Sequence, residues 1–144
     1  MMTLHKCQNG RQLIIANRAD VFAVLATANA LPSVVLLSAW RLDNILLHLW
    51  DDFVHKLLER GCTYFVCAGA FAEELHDLID DIIFLYPRND NIATTFHNDE
   101  TPDDIVNFFV YTTSILNDER AALVAILDTS FPQDEFLATL LMRE

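Results

Sequence analysis

His97, Asp99 and Glu100 lie within four residues of one another, and hard or borderline cations accept such a set of imidazole and carboxylate ligands. The same types also do acid–base work in small hydrolases. In an open parallel sheet, ligands sit beyond the carboxyl ends of the strands. The residues that follow the expected strands are Trp40 and Arg41, Gly69, His97 with Asn98, Asp99 and Glu100, and Asp128 with Thr129 and Ser130. The enzymatic candidates are therefore Arg41, His97, Asp99, Glu100 and Asp128. Polar loop ends occur at that edge in any α/β domain, and this plainer meaning is the commoner one. A ligand set needs convergence in space, so no metal is assigned.

Other chemistry finds less support. There is no G-x-G-x-x-G, no P-loop and no G-x-S-x-G, and Ser38 and Ser130 have no assignable partner. Each expected helix start carries acids where a phosphate would dock: Asp43, Glu73 and Glu74, Asp103 and Asp104, Asp134 and Glu135. Neither a nucleotide nor any other cofactor is expected. Cys67, in Tyr-Phe-Val-Cys-Ala, reads as a small, inert core residue. His48, Asp51, Asp52, His55, His76 and Asp77 read as solvated helix faces.

The elements that would carry these groups alternate in type. Val34 to Ala39, Thr63 to Ala68, Ile92 to Phe96 and Ala121 to Leu127 are short apolar runs expected to be buried strands. A further strand is possible at Gln12 to Ile15. Between the strands lie helices on Leu46, Leu49, Trp50, Phe53, Val54 and Leu57, capped by Asp43 and stopped at Gly61, and on Phe71, Leu75, Leu78 and Ile79 after Gly69. A third starts at Thr101-Pro-Asp-Asp104 and runs to about Leu116; a last one follows the capping box Ser130-Phe-Pro-Gln133. Ile82 to Tyr86 fits either a continuation of the second helix or a short strand ended by Pro87, of which the strand is favoured, and Arg18 to Ala30 reads as an added helix. The alternation predicts an α/β fold in three layers: a mostly parallel sheet of at least four strands with helices on both faces, flavodoxin-like or Rossmann-like.

At 144 residues, residues 1 to 144 are expected to form one domain burying roughly 70% of its unfolded surface. Apolar residues make up 53%, with only 3 Gly and 4 Pro, which argues against disorder, low complexity and a disulfide scaffold. Val21 to Trp40 carries no charge over a length that could cross a membrane, but Asn29, Pro32 and Ser33 divide it into helix, turn and strand. Three cysteines with no paired zinc spacing, and no secretory leader, suit a reducing cytoplasm.

Net charge is -12, unevenly placed. Residues 1 to 42 carry a local +3 from Lys6, Arg11, Arg18 and Arg41 against Asp20, leaving -15 on the rest. From Glu73 to Asp104 there are ten acids and one base, Arg88. Such a field repels nucleic acid and anionic membranes and attracts cationic partners, although a face kept acidic for solubility looks the same.

Phe65-Val-Cys-Ala-Gly69, Glu74-Leu-His-Asp77 and Thr94-Thr-Phe-His-Asn-Asp-Glu100 resemble, over residues 34 to 128, an uncharacterised family of small acidic bacterial proteins. The family's third block tends to read Thr-Thr-Trp-His-Asp-Asp-Glu, from which Phe96 and Asn98 depart. The resemblance implies a bacterial, self-contained domain and no particular activity. The favoured functional reading is a non-enzymatic, immunity or antitoxin-like module that docks a basic protein through Glu73, Glu74, Asp77, Asp80 and Asp81. The alternative is a small hydrolase or metal-dependent enzyme using the strand-end residues.

Overall fold

The strongest apolar runs become the centre of one six-stranded sheet. In a computed structural model the protein is described at residues 2–28, 32–86, 91–113 and 121–144. The strands are β1 (Met2–Lys6), β2 (Gln12–Ala16), β3 (Ser33–Ser38), β4 (Cys62–Ala68), β5 (Ala93–His97) and β6 (Ala122–Ile126), in the order β1-β2-β6-β3-β4-β5. All pairings are parallel except that of β1 with β2, an antiparallel hairpin. The four expected strands thus pair only in parallel. In chain order the five parallel strands lie 1-5-2-3-4, which differs from the 2-1-3-4-5 of flavodoxin and the 3-2-1-4-5-6 of the Rossmann fold.

Successive side chains point to opposite faces of a strand, and the core divides accordingly. Val35 and Leu37 of β3 join Phe65, Cys67, Val124 and Ile126 in one cluster. Val34 and Leu36 join Tyr64, Val66, Leu123 and Ala125 in the other. The first cluster is closed by α1 (Val21–Ala28), α2 (Leu47–Glu59) and α3 (Ala72–Phe84). The second is closed by α4 (Pro102–Asn107), the π-turn that continues it over Phe108–Thr112, and α5 (Pro132–Leu141). Val21 to Trp40 is divided between α1 and β3 as expected, and no helix among the described residues is long and apolar enough to cross a membrane.

Several expectations need correction. Residues 82–84 are helical, not a strand: Ile82 continues the buried i, i+4, i+7 stripe of Leu75 and Ile79, while Phe84 and Leu85 are exposed. Asp43 does not cap α2. It lies in a 3-10 turn at Leu42–Asn44 and pairs with Arg41, and the extended Leu46 precedes the helix. α5 is capped one residue late, at Phe131 with Pro132 at N1, because the Ser130 amide and hydroxyl are both spent on Asp128 Oδ1 (3.0 and 2.6 Å). Thr101 caps α4 as expected, its Oγ1 accepting from the Asp104 amide at 3.2 Å. The added helix is described only as Val21–Ala28, and the end of the third helix beyond Thr113 lies outside the described residues. The hairpin strand β1 has no counterpart among the expected strands, although Asn9-Gly10 is a turn signal.

Candidate functional site

The parallel registers bring the carboxyl ends of β3, β4, β5 and β6 to one edge, with Ser38 beside Ala68, Ala68 beside His97, and Leu37 beside Ile126. That edge holds the strand-end candidates but spreads them. His97 ends β5 and Asp128 follows β6, three strand positions apart, or about 14 Å at the usual spacing between strands. Arg41 is exposed and holds Asp43 at 2.9 Å. Asp99 is exposed as well. Only His97 and Glu100 meet, His97 Nδ1 lying 2.5 Å from Glu100 Oε2. Among the described residues no three His, Cys, Asp or Glu side chains are arranged to hold a metal.

His97, itself buried, is the centre of a relay between half-buried Thr95 and exposed Glu100. Its Nε2 is 2.9 Å from Thr95 Oγ1, and its ring packs against Phe108 with centroids 4.4 Å apart. Thr95 and His97, two residues apart on β5, project to the same side of the strand, and the turn at 98–100 brings Glu100 back onto Nδ1. Burial pushes the Tyr64 phenol up, and the bond to Thr95 opposes this. A hydroxyl on one imidazole nitrogen and a carboxylate on the other is the connectivity of an acyl-transfer relay. Here, however, neither Thr95 nor His97 lines any of the principal cavities among the described residues. The arrangement also satisfies a histidine that is 6% exposed, which is a structural reason for it.

Asp134, in the sequence no more than one of the acids at a helix start, is the better-placed carboxylate. It stands in the first turn of α5 yet is 2% exposed. Its Oδ2 accepts from Ser38 Oγ and the Asp128 amide, both at 2.8 Å, and its Oδ1 accepts from Trp40 Nε1 at 2.7 Å. The ends of β3 and β6 are thereby tied to α5. The signal lay in the spacing, since Asp134, Leu137 and Leu141 form one buried i, i+3, i+7 stripe. Burial raises the Asp134 carboxyl above the ordinary Asp range, and this outweighs the lowering by its three donors. A raised folded value means that the folded chain takes up the proton first. The associated stability is full below the ordinary Asp range and is lost as pH rises through the raised value. Urea midpoints of wild type and Asp134→Asn across pH 3.5 to 8 will therefore show the wild-type advantage shrinking as pH rises. A gap that widens toward neutral pH would mean that the three hydrogen bonds dominate over burial.

The proposed docking residues are brought together. Glu73, Glu74, Asp77, Asp80 and Asp81 are all exposed along α3. His76 lies 3.0 Å from Asp77 and 3.4 Å from Asp80, and Thr94 of β5 donates to Asp80 at 2.5 Å. Among the described residues no lysine or arginine pairs with these acids. His76 also packs edge-on against Phe96 (4.9 Å), which is 40% exposed on β5 at the sheet edge. Acids stand in the first turns of α3, α4 and α5 but not of α2, so three α-helix starts rather than four oppose an anion. Cys7, Cys62 and Cys67 are buried free thiols, and burial pushes all three up, Cys62 to about 12. Cys67 is a core residue, as expected.

Fold and site together define a mostly parallel α/β domain with a buried carboxylate where strand order reverses and an acidic flank beside its edge strand. The chain belongs to the family described as Domain of unknown function (DUF7684), which matches residues 18–143, so the β1–β2 hairpin precedes the match. No curated protein and no solved structure matches it.

Proposed function

We propose that the chain is a non-enzymatic interaction module of the cytoplasm, immunity or antitoxin-like, that docks a basic protein on α3 and the β5 edge. The single observation that carries this reading is the continuity of five exposed carboxylates with exposed apolar side chains: Phe96 beside His76, and Phe84 and Leu85 at the end of α3. Carboxylates steer a cationic partner and select against anionic ones, and apolar area supplies the burial that holds it. The acids at three helix starts support the same preference against nucleic acid. A single three-layer domain spanning residues 1 to 144 is part of the proposal, supported by the division of the core into two clusters.

The test replaces Glu73, Glu74 and Asp81 with lysine, three acids with no partner among the described residues. Folding should be nearly unchanged, because solvated charges contribute little. Association with a basic partner, isolated on the wild-type chain, should slow about tenfold or more at low salt and converge with wild type at high salt. Equal association rates at low salt would sink the reading. A second reading, a small hydrolase, is favoured by the relay of Thr95, His97 and Glu100. It requires His97→Ala to abolish ester turnover, whereas the lysine variant leaves turnover intact.

A further inference from the structure

We propose that the cleft between the carboxyl ends of β3 and β6 binds a small zwitterion with an apolar body, of the aromatic amino-acid class. Its carboxylate would rest on Arg18 and its ammonium on Asp128. From β3 the chain moves to β4 on one side, while β6 pairs on the other, so strand order reverses at this point. Ligands in open α/β sheets bind in that crevice. A cavity of about 320 Å³ opens here, with the chain's two tryptophans, Trp40 and Trp50, in its wall. That is on the order of ten water volumes at roughly 30 Å³ each, the scale of one amino acid.

Two charges face the cleft, and neither is matched by the other. The Arg18 guanidinium lies over Trp50 (4.6 Å) and Phe53 (4.2 Å), and among the described residues no acceptor meets its N–H groups. Contact with both rings holds the cation at the cleft wall and leaves its N–H groups for a carboxylate, which a guanidinium grips bidentately. Asp128 spends Oδ1 on Ser130, and its Oδ2 has no partner among the described residues. Asp134 is saturated by its three donors, so it holds Trp40 and Ser38 in place and leaves the ligand's ammonium to Asp128. A ligand of one charge would leave the other rim group desolvated and unpaired; a zwitterion matches both. Asp134 also fills the first turn of α5, where a phosphate would otherwise dock, which selects against nucleotides.

Titration of the full chain with L-phenylalanine, phenethylamine and 3-phenylpropanoate, read by tryptophan emission, tests this directly. Phenylalanine should give a saturable change and bind about tenfold tighter than either analogue, the worth of one paired charge at a partly exposed rim. Arg18→Gln should erase its advantage over phenethylamine and leave phenethylamine affinity unchanged. Asp128→Asn should erase its advantage over 3-phenylpropanoate. Both residues are exposed, so far-UV circular dichroism should be that of wild type. No saturable response to phenylalanine up to about 10 mM, or equal affinity for all three probes, would overturn the proposal. Lysine at Glu73, Glu74 and Asp81 should leave the titration unchanged, which keeps this site separate from the α3 surface.

Discussion

Replacing Gly69 with alanine should cost the fold about 4 kcal/mol and lower Tm by about 10 °C or more, a large fraction of a domain's total stability. Gly69 follows β4 directly and has φ +106, a conformation that side chains rarely adopt. Space is the larger obstacle. A Cβ at this position would stand 2.5 Å from the Ala39 carbonyl oxygen and 3.0 Å from its carbon. That oxygen accepts the Phe71 amide at 3.0 Å, while the Ala39 amide donates to Ala68 at 2.8 Å. The backbone cannot yield without opening the junction of β3, β4 and α3. Gly10→Ala is the control, because Gly10 has φ +87 but nothing within 4 Å of the added carbon. It should show the conformational strain alone, about 1 kcal/mol. Urea denaturation of the two variants separates strain from collision. Equal losses would mean that the contact with Ala39 relaxes at no cost.

Arg11→Met should destabilise the chain by about 3 kcal/mol, the scale seen when a buried charged network loses one partner. Arg11 is 4% exposed. Its Nε and Nη2 donate to the Ala121 carbonyl (3.2 and 3.1 Å), and its Nη1 donates to the Val110 carbonyl (3.2 Å) and Thr113 Oγ1 (2.8 Å). One guanidinium thus joins the β1–β2 hairpin to the π-turn and to the start of β6. Methionine keeps the stem and leaves the Ala121 carbonyl without these donors. Arg11→Lys should recover no more than about half of the loss, because an ammonium cannot present the planar fork that spans these acceptors. The denaturant midpoints of the two variants decide it. A loss within about 1 kcal/mol for Arg11→Met would show that water replaces the guanidinium at no great cost.

The parallel centre of the sheet, the start of α4, the stop of α2 and the acidic face of α3 follow from neighbouring residues alone. Each is local: an apolar run too short for a helix, Thr101 with Pro102 and two acids, Gly61 after Leu57, and carboxylates at helical spacing opposite Leu75 and Ile79. The remaining features depend on contacts between distant parts of the chain. Ile82 to Tyr86 fits either conformation as an apolar run, and residues 82–84 are helical because α3 buries Ile82 while leaving Phe84 and Leu85 in water. Arg11 counts in the sequence only as one of four bases near the start of the chain, and it is interior because its acceptors come from residues about 100 positions away. The strand-end candidates looked like one cluster in the sequence, but strand order places β4 and β3 between His97 and Asp128. Asp134 became a buried anchor through donors from residues 38 and 40, distant in sequence. Side-chain type and spacing set local conformation; strand order and burial, which depend on the whole chain at once, decide which polar groups meet.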